Sequence, residues 1–130
     1  MAIAPESLRY TPTHEWIRVE DGMAVMGITD FAVKLLTDIV FIALPQQGKT
    51  VRQSEPIGEI ESVKAVSDLY APVDGEIVET NQALPSKLEL LSESPFDKAW
   101  ISKIRLSDVS QPAQLMTADE YRRHCETSAH

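Results

Sequence analysis

The sequence predicts a mainly β protein, built as a small antiparallel sandwich or barrel with a few short helices. Short apolar or alternating runs of strand length recur along the chain, separated by turn signals such as Asp21-Gly22 and residues 72–75. Helical patterns are short and concentrate toward the C-terminal end. With 130 residues, the chain is close to the commonest domain size, so we expect one domain over 1–130 with a core from about 8 to 125.

The first half of the chain predicts a hairpin, a helix and a buried strand. Residues 14–20 and 23–28 flank Asp21-Gly22 with β-branched and aromatic residues, which is typical of two paired strands. Thr29 and Asp30 are suited to begin a helix, and the residues that follow form a short apolar stripe. Residues 39–44 are a continuous apolar run of strand length, which ends at Pro45.

The second half predicts several more short strands and a terminal helix. Strands are expected near Val51 and at residues 56–62, 68–71, 76–80 and 100–105. Residues 85–91 are expected to form a loop or short helix, and residues 108–116 are weakly helical. Thr117 and Glu120 fit a capping box for a last helix that extends to about Cys125.

Composition excludes several classes of function. The formal net charge of −8 argues against a nucleic-acid partner, and no apolar run approaches the roughly 20 residues that span a bilayer. The single cysteine, Cys125, cannot form an internal disulfide, and the three histidines, His14, His124 and His130, are too scattered for a metal site. Residues 1–6 lack the features of a secretion or transit signal, so we expect a cytoplasmic protein, or the mature form of a mitochondrial matrix protein.

The most informative segment surrounds Lys64. This lysine lies between two predicted strands and is flanked by the small residues Ser62 and Ala65, so it is expected at the tip of a hairpin, in water. Acidic neighbours favour its charged ammonium form, whereas a Schiff-base lysine needs a free amine. The pattern therefore indicates an exposed acceptor that another enzyme can acylate, and no catalytic constellation accompanies it.

The residues around Lys64 resemble the lipoylation hairpin of the glycine cleavage system H-protein family. The resemblance rests on residues 61–68 (E-S-V-K-A-V-S-D) and covers residues 8 to about 125. Further motifs match in order at residues 10–16 (Y-T-P-T-H-E-W), 27–32, 38–41, 44–45, 71–76 and 120–121. Val63 and Ala65 beside the lysine disfavour the biotin-carrying relatives of this fold, which place methionines there.

The resemblance implies a barrel-sandwich hybrid fold in which lipoate is covalently attached to Lys64. The chain would then be a non-catalytic carrier of the aminomethyl group of glycine. Its implied partners are a pyridoxal-phosphate glycine decarboxylase, a tetrahydrofolate-dependent aminomethyltransferase, a flavin dihydrolipoamide dehydrogenase and the lipoate-attaching enzymes. A shuttle that visits three enzymes works most simply as a monomer.

The resemblance also implies two groups of site residues. Recognition around the modified hairpin is expected from Glu59, Glu61, Ser62, Val63, Ala65 and Asp68, with Asp68 also near the loaded arm. A cleft for the loaded arm is expected from Thr13, His14 and Glu15, where a cationic amine would gain charge-assisted hydrogen bonds.

Two alternatives to this function stay open from the sequence. One is an H-like lipoyl carrier that serves sulfur oxidation or relays lipoate to other proteins, and the other is an unmodified homologue that acts as an interaction module. The chain departs from the family's usual residues at Thr37, where glycine is common, at Ala43, and at residues 97–99. These departures leave the modified hairpin intact but affect positions that bear on partner docking.

Overall fold

The computed structural model describes residues 7–128, which form two antiparallel β-sheets with short helices at their edges. This architecture confirms the predicted mainly β fold. The strands in chain order are β1 (Arg9–Tyr10), β2 (Glu15–Glu20), β3 (Met23–Ile28), β4 (Ile39–Ala43), β5 (Thr50–Val51), β6 (Pro56–Ser62), β7 (Val66–Tyr70), β8 (Gly75–Thr80) and β9 (Ser102–Leu106). The larger sheet has the order β1-β2-β3-β9-β8-β5, and the smaller has the order β4-β6-β7.

The helices are short except for the last one. They are α1 (Asp30–Leu36), α2 (Leu90–Glu93) and α3 (Ala118–Ser128), with single 3₁₀ turns at Leu84–Ser86 and Gln111–Gln114. No helix within residues 7–128 combines the length and the apolar character needed to cross a membrane. The expectations drawn from residues 1–6 and from His130 concern positions outside the described residues.

Local chemistry explains where several elements begin and turn. Asp21 and Gly22 both have positive φ, 50° and 77°, as a two-residue hairpin turn between β2 and β3 requires. The hydroxyl of Thr29 caps α1 by accepting a hydrogen bond from the Ala32 amide at 3.2 Å. Both predictions, the hairpin and the helix start, are confirmed.

The predicted capping box of α3 is also confirmed. The Thr117 amide donates to Glu120 Oε1 at 2.9 Å, and the Glu120 amide donates to Thr117 Oγ1 at 3.3 Å. Helix α3 continues to Ser128, three residues beyond the predicted end. Its Tyr121 ring stacks on Tyr10 with the ring centroids 4.6 Å apart, which ties the helix to the edge of the larger sheet.

Several strand boundaries differ from the prediction by one or two residues, and two of these differences have identifiable reasons. Strand β2 begins at Glu15 rather than at residue 14, because His14 has a φ of 72° and cannot continue an extended strand. Strand β9 begins at Ser102 rather than at residue 100, because its ladder with β3 starts opposite Met26.

The core lies between the two sheets. On the smaller sheet, Ile42 and Ile60 face each other across β4 and β6 and are both buried. On the larger sheet, Ile77 and Ile104 form the corresponding buried pair between β8 and β9. Burial of these facing aliphatic rows is the main source of stability. The β6–β7 hairpin supplies two of the three strands of the smaller sheet.

Candidate functional site

Lys64 lies at the tip of the β6–β7 hairpin. Residues 63–65 connect the two strands, and all three are exposed. Within the described part of the chain, no carboxylate lies within ion-pair distance of the Lys64 ammonium. The side chain is therefore open to solvent and can be reached by another protein.

The side chain of Ser62 organises this tip. Its Oγ accepts hydrogen bonds from the amides of Lys64 at 3.3 Å and of Ala65 at 3.1 Å. The Ser62 amide also donates to the carbonyl oxygen of Ala65 at 2.8 Å, which closes the turn. A tip closed by backbone and hydroxyl bonds holds the Lys64 Cα in a defined place, while the side chain itself is exposed.

A corner after α1 anchors the tip to the rest of the protein. The Val63 amide donates to the carbonyl oxygen of Asp38 at 3.2 Å. This corner contains Thr37 with a φ of 51° and Asp38 with a φ of 24°, conformations that a β-branched residue adopts only at an energetic cost.

Three acidic residues surround the hairpin on the smaller sheet. Glu59 and Asp68 are direct cross-strand partners, and Glu61 lies opposite Val66. Like charges placed directly opposite each other are unfavourable, and no lysine or arginine of residues 7–128 forms an ion pair with any of the three. The sheet thus keeps an uncompensated negative surface next to Lys64.

An open cleft with about 430 Å³ of empty space lies beside the same hairpin. Its polar residues are Thr13, His14, Glu15, Ser67 and Asp68, and its apolar residues are Ile28, Ala32, Leu35, Leu36, Ile60 and Leu69. The cleft therefore brings together the segment before β2, helix α1 and the middle of the β6–β7 hairpin.

Glu15 is the buried acidic group of this cleft, with only 1% of its surface exposed. Its Oε1 accepts hydrogen bonds from Thr11 Oγ1 at 2.6 Å and from the Thr13 hydroxyl, and its Oε2 accepts one from the Tyr70 amide at 3.2 Å. Burial raises the pKa of Glu15 from its ordinary value of 4.5 to about 7, although these donors oppose the shift.

His14 closes the cleft on the side of α3. Its Nδ1 is hydrogen-bonded to the Tyr121 hydroxyl at 2.8 Å, and that hydroxyl is hydrogen-bonded to Thr29 Oγ1 at 2.6 Å. Burial, together with the nearby His124, lowers the pKa of His14 to about 4. The imidazole is therefore neutral at physiological pH and holds its place through Tyr121.

The structure brings the sequence-predicted residues together around one hairpin. Lys64 is at the tip, Glu59, Glu61 and Asp68 are on the adjoining sheet, and Thr13, His14 and Glu15 are in the cleft. Sequence reasoning missed Thr11, the Tyr70 amide and Tyr121 as partners of the cleft residues. For Thr11 a signal was available in the sequence, because Thr11 and Thr13 are hydroxyl residues that lie four and two positions before Glu15.

The described residues contain no group of three or more His, Cys, Asp or Glu side chains arranged to hold a metal ion.

Comparison with known proteins agrees with this geometry. The family profile "Glycine cleavage H-protein" matches residues 8–128. Glycine cleavage system H proteins of Bacillus mycoides and Bacillus anthracis are each 50% identical over 117 residues, which cover 90% of this chain and 92% of the relative. A crystal structure of a glycine cleavage system H protein from Mycobacterium marinum superposes with a TM-score of 0.84 at 35% identity. The superposition covers 97% of this chain and 99% of the Mycobacterium marinum chain.

These matches confirm the resemblance noted in the sequence. They also confirm the predicted fold and the role that follows from it, a lipoyl carrier component of the glycine cleavage system rather than an enzyme. The chain belongs to the glycine cleavage H-protein family.

Proposed function

We propose that Lys64 is the residue that carries lipoate, and that the chain shuttles the aminomethyl group of glycine on this arm between enzymes. The observation that carries the proposal is the exposed Lys64 amine on a hydrogen-bonded hairpin tip beside a cleft that holds a buried carboxylate. Lipoate, when attached, supplies a dithiol on a long tether. Tethering gives that group a high effective concentration at a docked active site.

The residues of the cleft fit a long apolar arm that ends in an amine. Leu35, Leu36 and Leu69 offer apolar contact, while Glu15 and Thr13 offer oxygen atoms for an ammonium group. A cation entering the cleft would favour the ionised form of Glu15, whose pKa is otherwise raised by burial to about 7. We therefore expect that binding of a cationic arm at neutral pH releases a fraction of a proton per molecule from Glu15. Binding of a neutral arm should release no proton.

The acidic residues of the hairpin serve recognition by other proteins. Glu59, Glu61 and Asp68 present unpaired carboxylates beside Lys64, and Ser62, Val63 and Ala65 set the shape of the tip. A basic surface on an enzyme would be steered toward this region and oriented by it. Asp68 also borders the cleft, so it is placed to act on the arm as well.

The enzymes of the glycine cleavage system are the expected partners. We infer a glycine decarboxylase that loads the arm, an aminomethyltransferase that unloads it, a dihydrolipoamide dehydrogenase that reoxidises it, and the lipoate-attaching enzymes. We further infer that the chain works as a monomer and as one carrier domain with its core over residues 8–125. The bacterial origin of the relatives named above supports a cytoplasmic location.

The intact mass of protein purified from its own cells tests the modification. We expect the mass increment of one lipoyl group, located at Lys64 by peptide mapping. The matched control is Lys64→Arg, which keeps the charge but offers no acylable amine and should show the unmodified mass. A wholly unmodified native protein would refute the carrier proposal and favour the interaction module.

Exchange of labelled bicarbonate into glycine tests the pathway. Lipoylated protein, mixed with glycine decarboxylase and glycine, should support exchange, and Lys64→Arg protein should not. A lipoylated protein that supports no exchange would instead favour a carrier for another lipoyl pathway.

A further inference from the structure

Exposed apolar side chains are concentrated around the hairpin. Among the described residues, the large apolar side chains with substantial exposure are Val19, Leu35, Val40, Phe41, Val63, Val66 and Val109. Four of these seven, Val40, Phe41, Val63 and Val66, lie on or next to the smaller sheet at the end that carries Lys64. We refer to these four residues as the apolar patch. Their exposed fractions are 55%, 47%, 69% and 61%.

The strand register explains how the patch forms. Phe41 is opposite Glu61 on β6, and Glu61 is opposite Val66 on β7, so these three side chains form one row on the same face. The neighbouring row, Ile42 and Ile60, is buried and points to the other face. Phe41 and Val66 therefore face solvent, on either side of Glu61.

Val40 and Val63 extend this row toward Lys64. An irregularity in the β4–β6 ladder falls between Ile39 and Phe41, so that Val40 has no partner on β6. Val63 immediately precedes Lys64 at the tip. The resulting surface is apolar, contains Glu61, and continues along the sheet into the opposed carboxylates of Glu59 and Asp68.

We propose that the apolar patch is the docking surface for the lipoate-attaching enzyme. This inference rests on the proposed function of Lys64. Acylation takes place on Nζ itself, which lies only about 6 Å from the Lys64 Cα even when the side chain is extended. The attaching enzyme must therefore bring its active site against the hairpin tip and the surface next to it.

The other partners are under no such constraint. Once lipoate is attached, the reacting sulfurs lie more than about twice as far from the Lys64 Cα, so those enzymes can act without close contact to the patch. The surface of the attaching enzyme is expected to be apolar at its centre and basic at the side that meets Glu59, Glu61 and Asp68. The three carboxylates attract the attaching enzyme as it approaches, and the apolar patch provides the surface from which water is removed when the two proteins bind.

The test measures the rate of acylation of unmodified protein by a lipoate–protein ligase supplied with lipoate and ATP, followed by intact mass. The variants are Phe41→Ala and Val66→Ser. The matched control is Val19→Ser, which makes the same change on a strand of the other sheet at a similarly exposed valine. Unfolding in urea establishes that each variant is folded before its acylation rate is measured.

We expect kcat/KM for acylation to fall about tenfold in each patch variant and less than twofold in Val19→Ser, as is typical when a central interface side chain is truncated. The variants, brought to full lipoylation by long incubation, should then show a smaller loss in glycine–bicarbonate exchange than in acylation.

Three results would overturn the inference. These are unchanged acylation of both patch variants, an equal loss in Val19→Ser, or a loss in exchange as large as the loss in acylation. If wild-type protein is not acylated at Lys64 under the same conditions, the proposed function fails, and the docking inference fails with it.

Discussion

Replacing Glu15 by glutamine should remove the fall in stability that this carboxyl contributes between pH 5 and pH 8. Glu15 is 1% exposed, and its pKa is raised by burial from 4.5 to about 7 in the folded protein. Between those two values the folded state keeps a proton that the unfolded state releases. The contribution of Glu15 to stability therefore falls as pH rises, beginning near 4.5 and levelling off above 7. His14, whose pKa is lowered by burial from 6.5 to about 4, contributes in the opposite direction between those two values, so the Glu15 contribution is read from the difference between wild type and variant.

The size of the effect follows from the shift in pKa. A displacement from 4.5 to about 7 corresponds to about 3 kcal/mol between the low-pH and high-pH limits, of which about 2 to 3 kcal/mol falls between pH 5 and pH 8. Glutamine has no titrating proton. It offers one acceptor oxygen in place of two, so we expect a pH-independent loss of about 1 kcal/mol where Thr11, Thr13 or the Tyr70 amide loses its partner.

The assay is urea unfolding of wild type and Glu15→Gln at several pH values from 5 to 8. The difference in the free energy of unfolding between the two proteins should shrink or reverse as pH rises. Glu59→Gln, a change at an exposed carboxylate, controls for the loss of one negative charge. Parallel pH profiles for wild type and Glu15→Gln would refute the reasoning, because they would show that Glu15 is not kept protonated by burial.

Three further substitutions test the surrounding structure. Thr37→Gly should raise the free energy of unfolding by about 1 kcal/mol, because glycine relieves the strain of φ 51°. Thr37→Ala keeps a Cβ and should not stabilise, and a less stable glycine variant in urea would contradict the assigned strain. Tyr121→Phe should lower the unfolding free energy by about 1 to 2 kcal/mol, since His14 and Thr29 lose their shared partner, and an unchanged thermal midpoint would argue against that contact. Ser102→Ala should be neutral or stabilise by up to about 1 kcal/mol in calorimetry, because the buried Ser102 Oγ has no hydrogen-bond partner among residues 7–128. A clear loss of stability would mean that the hydroxyl is bonded in solution.

The sequence could predict those parts of the fold that depend on near neighbours. The Asp21-Gly22 turn and the Thr117–Glu120 box are formed by residues within three positions of each other. The location of Lys64 at a hairpin tip is of the same kind, because strand patterns on both sides define it. The cleft residues Thr13, His14 and Glu15 were implied by the family motif. A motif identifies which residues belong to a site, but it does not give their burial or their contacts.

The sequence by itself therefore determined which lysine is presented and between which strands, because turns, caps and alternating patterns act over a few residues. Only the tertiary structure decided that Glu15 is buried and that His14 meets Tyr121, 107 positions further along the chain. It likewise decided that Phe41, Glu61 and Val66 share one exposed row. Burial, desolvation and cross-strand register depend on which distant segments meet, and that is a property of the folded assembly of strands.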